Sequence, residues 1–206
     1  MVHISDLFLI KIPYTLIQSL QRYVQIINPH WSRLMRPLIF VFSLLLITSC
    51  TQVPKGVQPV SPFDLTQYLG KWHEISRLDH RFERDLTEVT AHYSIRPDGG
   101  VKVINRGLNI KTNQWEEAEG KAYFVDAQTT GLLKVSFFGP FYGSYTVAKL
   151  EPDYSMALVI GPSLDYAWIL ARDPNPSAQL CQRYERYAQD LGVKTLDWIS
   201  VRACKT

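Results

Sequence analysis

Between residues 71 and 172 apolar and polar side chains alternate with a period of two, and turn residues break the pattern every few positions. Strand side chains point to opposite faces in turn, so this is the pattern of half-buried β-strands and not of a helix. The segments are "KWHEISRL" (71–78), "LTEVTAHYSIR" (86–96), "VKVINRGLNI" (101–110), "WEEAEGKAYFV" (115–125), "LLKVSFF" (132–138), "GSYTVAKL" (143–150), "YSMALVIG" (154–161) and "YAWILAR" (166–172). "PDGG" (97–100) is a hairpin turn, and the other connections are also short, so successive strands are expected to be antiparallel neighbours. Only at 175–192 does a helical period appear, with Leu180, Tyr184, Tyr187 and Leu191 on one face, Ser177 as N-cap and Gly192 as terminator. A short strand, "LDWISVR" (196–202), follows. An open meander of this size leaves two unpaired edges, and closure removes both. The expected fold is therefore all-β: an eight-stranded antiparallel up-and-down barrel with one C-terminal helix and a short final strand. A two-sheet sandwich is the alternative.

The chain upstream is organised differently. Arg36 precedes an apolar run from Pro37 to Ile47, then Thr48, Ser49 and Cys50. The run is about eleven residues, roughly 16 Å as a helix, against roughly 30 Å of bilayer hydrocarbon. The order of basic, apolar and small residues is that of a secretory signal ending at a lipid-modified cysteine; an uncleaved membrane anchor is the alternative. "ITSC" resembles the bacterial lipobox, which implies cleavage before Cys50 and diacylglycerol on its thiol. Thr51 stands where an aspartate would signal inner-membrane retention. The expected division is an upstream extension at 1–34, with Met35 as the true start, a lipoprotein signal peptide at 35–49, a lipidated tether at 50–62, and the barrel domain at 63–206.

Removing the first 49 of the 206 residues takes away four basic side chains (Lys11, Arg22, Arg33, Arg36) and one acidic, Asp6. Of 22 basic and 19 acidic residues, 18 of each remain, and no positive surplus is left for nucleic acid. Besides Cys50 the chain has Cys181 and Cys204. Outside the cytosol they are a candidate disulfide, with two separate thiols as the alternative.

Three features stand at particular places in the strand order. Gly70 and Trp72 make a Gly-x-Trp at the entry of the first strand, "PDY" (152–154) lies in the turn before the seventh, and Arg172 ends the eighth. Together these resemble the motifs of the lipocalins, and "DHRFERDLTEVTAHYSIRPDGGVKVINRG" and "LKVSFFGPFYGSYTVAKL" resemble the bacterial outer-membrane lipocalins, relatives of apolipoprotein D. The resemblance implies a barrel closed at one end and holding a lipid. Gly70, Trp72 and Arg172 are then structural: the indole plugs the closed end, the glycine allows a tight bend, and the guanidinium stacks on the indole.

Eight strands, of which lipocalins are a standard example, enclose room for one small ligand. Alternation turns Val89, Ala91, Tyr93 and Ile95 inward, with Val103 and Asn105, Leu133, Val135 and Phe137, and Tyr166, Trp168 and Leu170. Glu74 shares Trp72's inward parity, an awkward place for a carboxylate. The lumen is expected to be apolar and aromatic, suited to an aliphatic chain such as that of a fatty acid or lysophospholipid. Tyr93, Asn105, Phe137 and Trp168 are the ligand-binding candidates, matching positions that the apolipoprotein D resemblance implies. The loop "FFGPFYGSY" (137–145) is either a lip at the open end or a buried corner. No G-x-S-x-G, C-x-x-C or H-E-x-x-H occurs, and His73, His80 and His92 read as surface residues. The chain therefore reads as a lipid carrier anchored in the outer membrane at its periplasmic face, without catalytic residues, metal or cofactor; a lipid-modifying enzyme using the barrel cavity and a structural lipoprotein without ligand are the alternatives.

Overall fold

The computed structural model describes residues 52–205. The upstream extension, the signal segment, Cys50 and Thr51 lie outside the described residues. The described residues form a compact unit of their own.

The strands are β1 (Gly70–Arg77), β2 (Leu86–Ile95), β3 (Val101–Asn109), β4 (Gln114–Phe124), β5 (Leu132–Ser136), β6 (Gly143–Leu150), β7 (Met156–Ile160) and β8 (Ala167–Ala171). Each pairs antiparallel with the next, and β1 pairs with both β2 and β8, so the sheet closes on itself. Closure follows from the sequence pattern: every strand has an apolar face to bury, and no connection is long enough to carry a strand to a second layer. The final strand, β9 (Ile199–Ser200), is shorter than expected because Thr195–Asp197 turn as a 3-10 helix. It bonds to Ser76 and Arg77 outside the barrel.

Two helices complete the unit. α1 (Leu65–Tyr68), which alternation gives no sign of, lies before β1, with Asp64 as its N-cap. α2 (Ala178–Asp190) is capped by the Ser177 hydroxyl and buries Cys181, Tyr184 and Ala188. It packs on the outside of the barrel against Ile75, Ala148, Met156, Leu158, Ile160 and Ile169. Inside is a second apolar cluster containing Trp72, Ala91, Tyr93, Val101, Val103, Ala122, Leu133, Val147 and Leu170. The sulfur atoms of Cys181 and Cys204 form a disulfide that ties α2 to the chain end, with Cα atoms 6.6 Å apart.

The stretch 52–62 is not simply a free tether. Val57 is buried in the outer cluster, and Val60 exchanges backbone hydrogen bonds with Val147 and Gly131. Its valines give it apolar contacts that prolines alone would not.

Candidate ligand-binding lumen

Strand direction defines two ends. Gly70 pairs with Tyr93 at the lower end of β1, and Arg77 with Trp168 at the upper end.

The lower end is sealed. Trp72 is fully buried, its Nε1–H donates to the Tyr68 carbonyl at 2.8 Å, and its ring lies 4.7 Å from that of Tyr68. The Arg172 guanidinium carbon sits 4.0 Å from the indole centroid. Its nitrogens donate to the carbonyls of Lys71 (2.7 Å), Gln67 (2.7 Å) and Leu69 (2.8 Å), which holds α1 to the barrel floor. Gly70 has φ +90°, a left-handed conformation that disfavours a side chain, and its missing Cβ would stand 3.5 Å from Arg172 Nη1. In the β6–β7 turn, Asp153 accepts from the Ser155 backbone and hydroxyl, while the Tyr154 hydroxyl accepts from the Asp64 N–H at 2.8 Å.

Above this floor the lumen is apolar with one polar thread. The Tyr145 hydroxyl shares hydrogen bonds of 2.8 Å with Tyr68 and with Tyr93. Burial pushes all three phenols upward, so each is a neutral donor and acceptor. Around them Leu65, Val101, Val103, Ala122, Leu133 and Val135 enclose about 10 Å³ open to a water's centre, which is about one water. Higher up, Asn105, Val135, Phe137 and Trp168 are only half-buried although they share the inward-facing set, so the upper lumen is open to solvent. Small side chains on β4 make that room: the Phe137 ring lies over Gly120, where a Cβ would come within 2.8 Å of it. The Asn105 Oδ1 is buried without a hydrogen-bond partner.

The upper lumen also holds charge that alternation alone could not place. Ile75 faces the α2 side as alternation places it, but the register shifts between Glu74 and Ser76, so Arg77 joins Glu74 in lying across from inward residues, Trp168 and Leu170 respectively. Glu74 accepts from Arg77 Nη1 at 2.6 Å, with both side chains at most 3% exposed. Arg77 Nη2 donates to the carbonyls of Glu83 (2.8 Å) and Leu86 (2.9 Å), and Trp168 Nε1 donates to Glu83 Oε2 at 2.9 Å. This clamps the β1–β2 loop onto the mouth. Arg77 bonds one of the two buried carboxylates, that of Glu74, and acts on that of Glu83 only through its charge. Burial, and then the Glu83 charge, push Glu74 up to about 8 against the pull of Arg77. Burial raises Glu83 as well.

Four expectations need correction. His80 is buried, not a surface residue: its ring stacks between Phe82 and Tyr166 and against Trp168, and burial with Arg77 lowers it to about 4. Tyr166 sits on the β7–β8 loop, 39% exposed, because β8 begins at Ala167. Ile95 is 57% exposed because β2 ends there, past the barrel floor. The lumen is not simply apolar and aromatic: Tyr145 and Glu74 face it from strands, while Arg77 was hidden by a bulge and Glu83 by its loop position. Glu74's inward parity and Tyr145's aromatic stretch were the only sequence signals of this set.

A lipocalin-like family model matches residues 63–202. The chain belongs to the lipocalin family. It is 48% identical over 162 residues to the outer membrane lipoprotein Blc of Vibrio cholerae, covering 78% of this chain and 95% of that protein. Bovine apolipoprotein D is more distant, 34% identical over 120 residues, covering 54% of this chain and 62% of that one. Among solved structures, insecticyanin from the tobacco hornworm shares the fold, with a TM-score of 0.57 and 20% identity over 72% of this chain and 85% of that one. For this lipocalin the sealed floor and open upper lumen thus have the polarity of a one-mouthed cup.

Proposed function

We propose that this lipocalin is a lipid-anchored protein of the outer membrane, on its periplasmic face, that holds the acyl chain of a fatty acid or lysophospholipid. The observation that carries the reading is the upper lumen: inward-facing Val135, Phe137 and Trp168 are half-buried above a floor closed by Trp72. Apolar surface left wet inside a barrel is stabilised by a hydrocarbon chain at roughly 25 cal/mol per Å². The relatives named outer membrane lipoproteins support the location, as does the order of residues around Cys50.

In this reading the chain end rests above the Tyr68–Tyr145–Tyr93 hydroxyls, since the space beside them holds about one water. Phe137 and Trp168 flank the chain, and Asn105 offers its free oxygen to a hydroxyl or amine on the ligand. Several acyl chains on Cys50, at about 0.8 kcal/mol per buried methylene, make the anchorage permanent. The protein is a carrier and not a catalyst, with no cofactor and no nucleic-acid partner.

The test is displacement of a fluorescent fatty acid by lysophosphatidylethanolamine from the purified protein, with native mass spectrometry of the cell-extracted form. Saturable uptake, weakened by Phe137→Asp or Trp168→Ala, supports the reading. Absence of uptake sinks it, and release of free fatty acid from the lysophospholipid would make the protein an enzyme.

A further inference from the structure

The connections at the open end are 78–85, 110–113, 137–142 and 161–166. Among the described residues they carry five of the nine large exposed apolar side chains. Phe82 is 57% exposed on the first, Ile110 65% on the second, and Phe138 and Phe141 77% and 79% on the third. Tyr166 lies on the fourth. Leu196, fully exposed, precedes β9 where Ile199 pairs with the upper end of β1. At the closed end the large exposed apolar residues are Ile95 and Val125. Four loops from one end of a barrel each presenting a partly or largely exposed apolar side chain is a concentration that a soluble surface does not need.

We propose that this rim inserts into the head-group region of a phospholipid bilayer, so that the mouth opens directly onto the membrane. Three observations favour a bilayer over a second protein. The lumen opens through the rim, so a lipid leaving the bilayer there reaches Phe137 and Trp168 without crossing water. Arg81, exposed beside Phe82, forms no ion pair among the described residues and is available to a lipid phosphate. The chain upstream is also short: Cys50 is three residues before Val53, which packs on the outer cluster, a reach of about 10 Å at full extension. This last point rests on the proposed lipid anchor; the first two do not.

The experiment uses the chain from Ser49 onward with Cys50→Ser, which removes the anchor and leaves the compact unit. An environment-sensitive nitrobenzoxadiazole label is placed at Phe141→Cys, and in a separate protein at Ile95→Cys at the closed end. Vesicles of phosphatidylethanolamine and phosphatidylglycerol are added. The label at 141 is expected to brighten and shift to the blue, and the label at 95 to stay unchanged. Phe138→Ser with Phe141→Ser should weaken vesicle partition about tenfold or more, while uptake of a fluorescent fatty acid from solution is retained. Equal responses at 141 and 95, or unaltered partition of the double variant, would overturn the proposal. So would a double variant that changes the oligomeric mass but not the partition, because the rim would then cover a second copy. Vesicle binding through the rim with no fatty-acid uptake would sink the lumen reading and leave this one standing.

Discussion

Glu74 gives the sharpest test of the polar cluster in the lumen. Its carboxyl is 3% exposed, lies 2.6 Å from Arg77, and feels the charge of the nearby Glu83 carboxylate. A carboxyl held near 8 when folded and near 4.5 when unfolded keeps its proton better in the native state. Its stabilising contribution is therefore complete below pH 4.5 and is lost as pH rises through 8. The loss is about 1.4 kcal/mol per pH unit, or at most about 4 to 5 kcal/mol across the window. His80 works the other way: depressed to about 4, it contributes stability above pH 6.5 that is lost on acidification. The two oppose each other below 6.5, so the interval from 6.5 to 8 isolates the carboxyl. Urea unfolding of the domain, followed by tryptophan fluorescence, should show stability falling across that interval. Glu74→Gln keeps an oxygen for Arg77 and removes the proton, so its profile should be flat there and its stability at pH 8 higher than that of the parent. A parent whose stability is level or rising from 6.5 to 8 would refute the reasoning. An unchanged slope in Glu74→Gln would move the proton to Glu83.

Trp72→Ala removes a fully buried indole stacked on Arg172 and should cost about 3 to 5 kcal/mol in urea unfolding. Normal melting with lost fatty-acid binding would show the indole to be a ligand contact instead. Tyr145→Phe strips the hydroxyl that joins Tyr68 to Tyr93 and should cost about 1 to 3 kcal/mol by the same measurement, because two buried hydroxyls lose a partner. Opening the Cys181–Cys204 bridge by substituting both with serine frees a 23-residue separation and should cost about 3 kcal/mol; an unchanged unfolding midpoint would mean that the bridge is absent in the native protein.

Much of this protein is written in its local pattern. Period-two alternation and short turns suffice for eight antiparallel neighbours, and because each strand needs its apolar face covered, closure into a barrel follows. The same alternation puts Trp72, Tyr93, Val103, Leu133 and Leu170 on the face where the lumen cluster forms. The helix from Ala178 to Asp190 is equally legible, since its apolar residues recur at helical spacing behind Ser177. What alternation could not supply lies where the period breaks. The bulge at Ile75 reverses the parity of everything after it in β1, which is how Arg77 comes to face Glu74 inside the barrel. Glu83 and His80 belong to a loop with no period at all, and only folding that loop over the mouth buries them against Trp168. Tyr68 and Tyr145 are 77 residues apart, and their shared hydrogen bond exists only because closure brings α1 beneath β6. Apolar periodicity is a property of neighbours along the chain, so a single sequence can declare it. Partnership between buried polar groups depends on which distant backbones meet, and only the closed tertiary structure decides that.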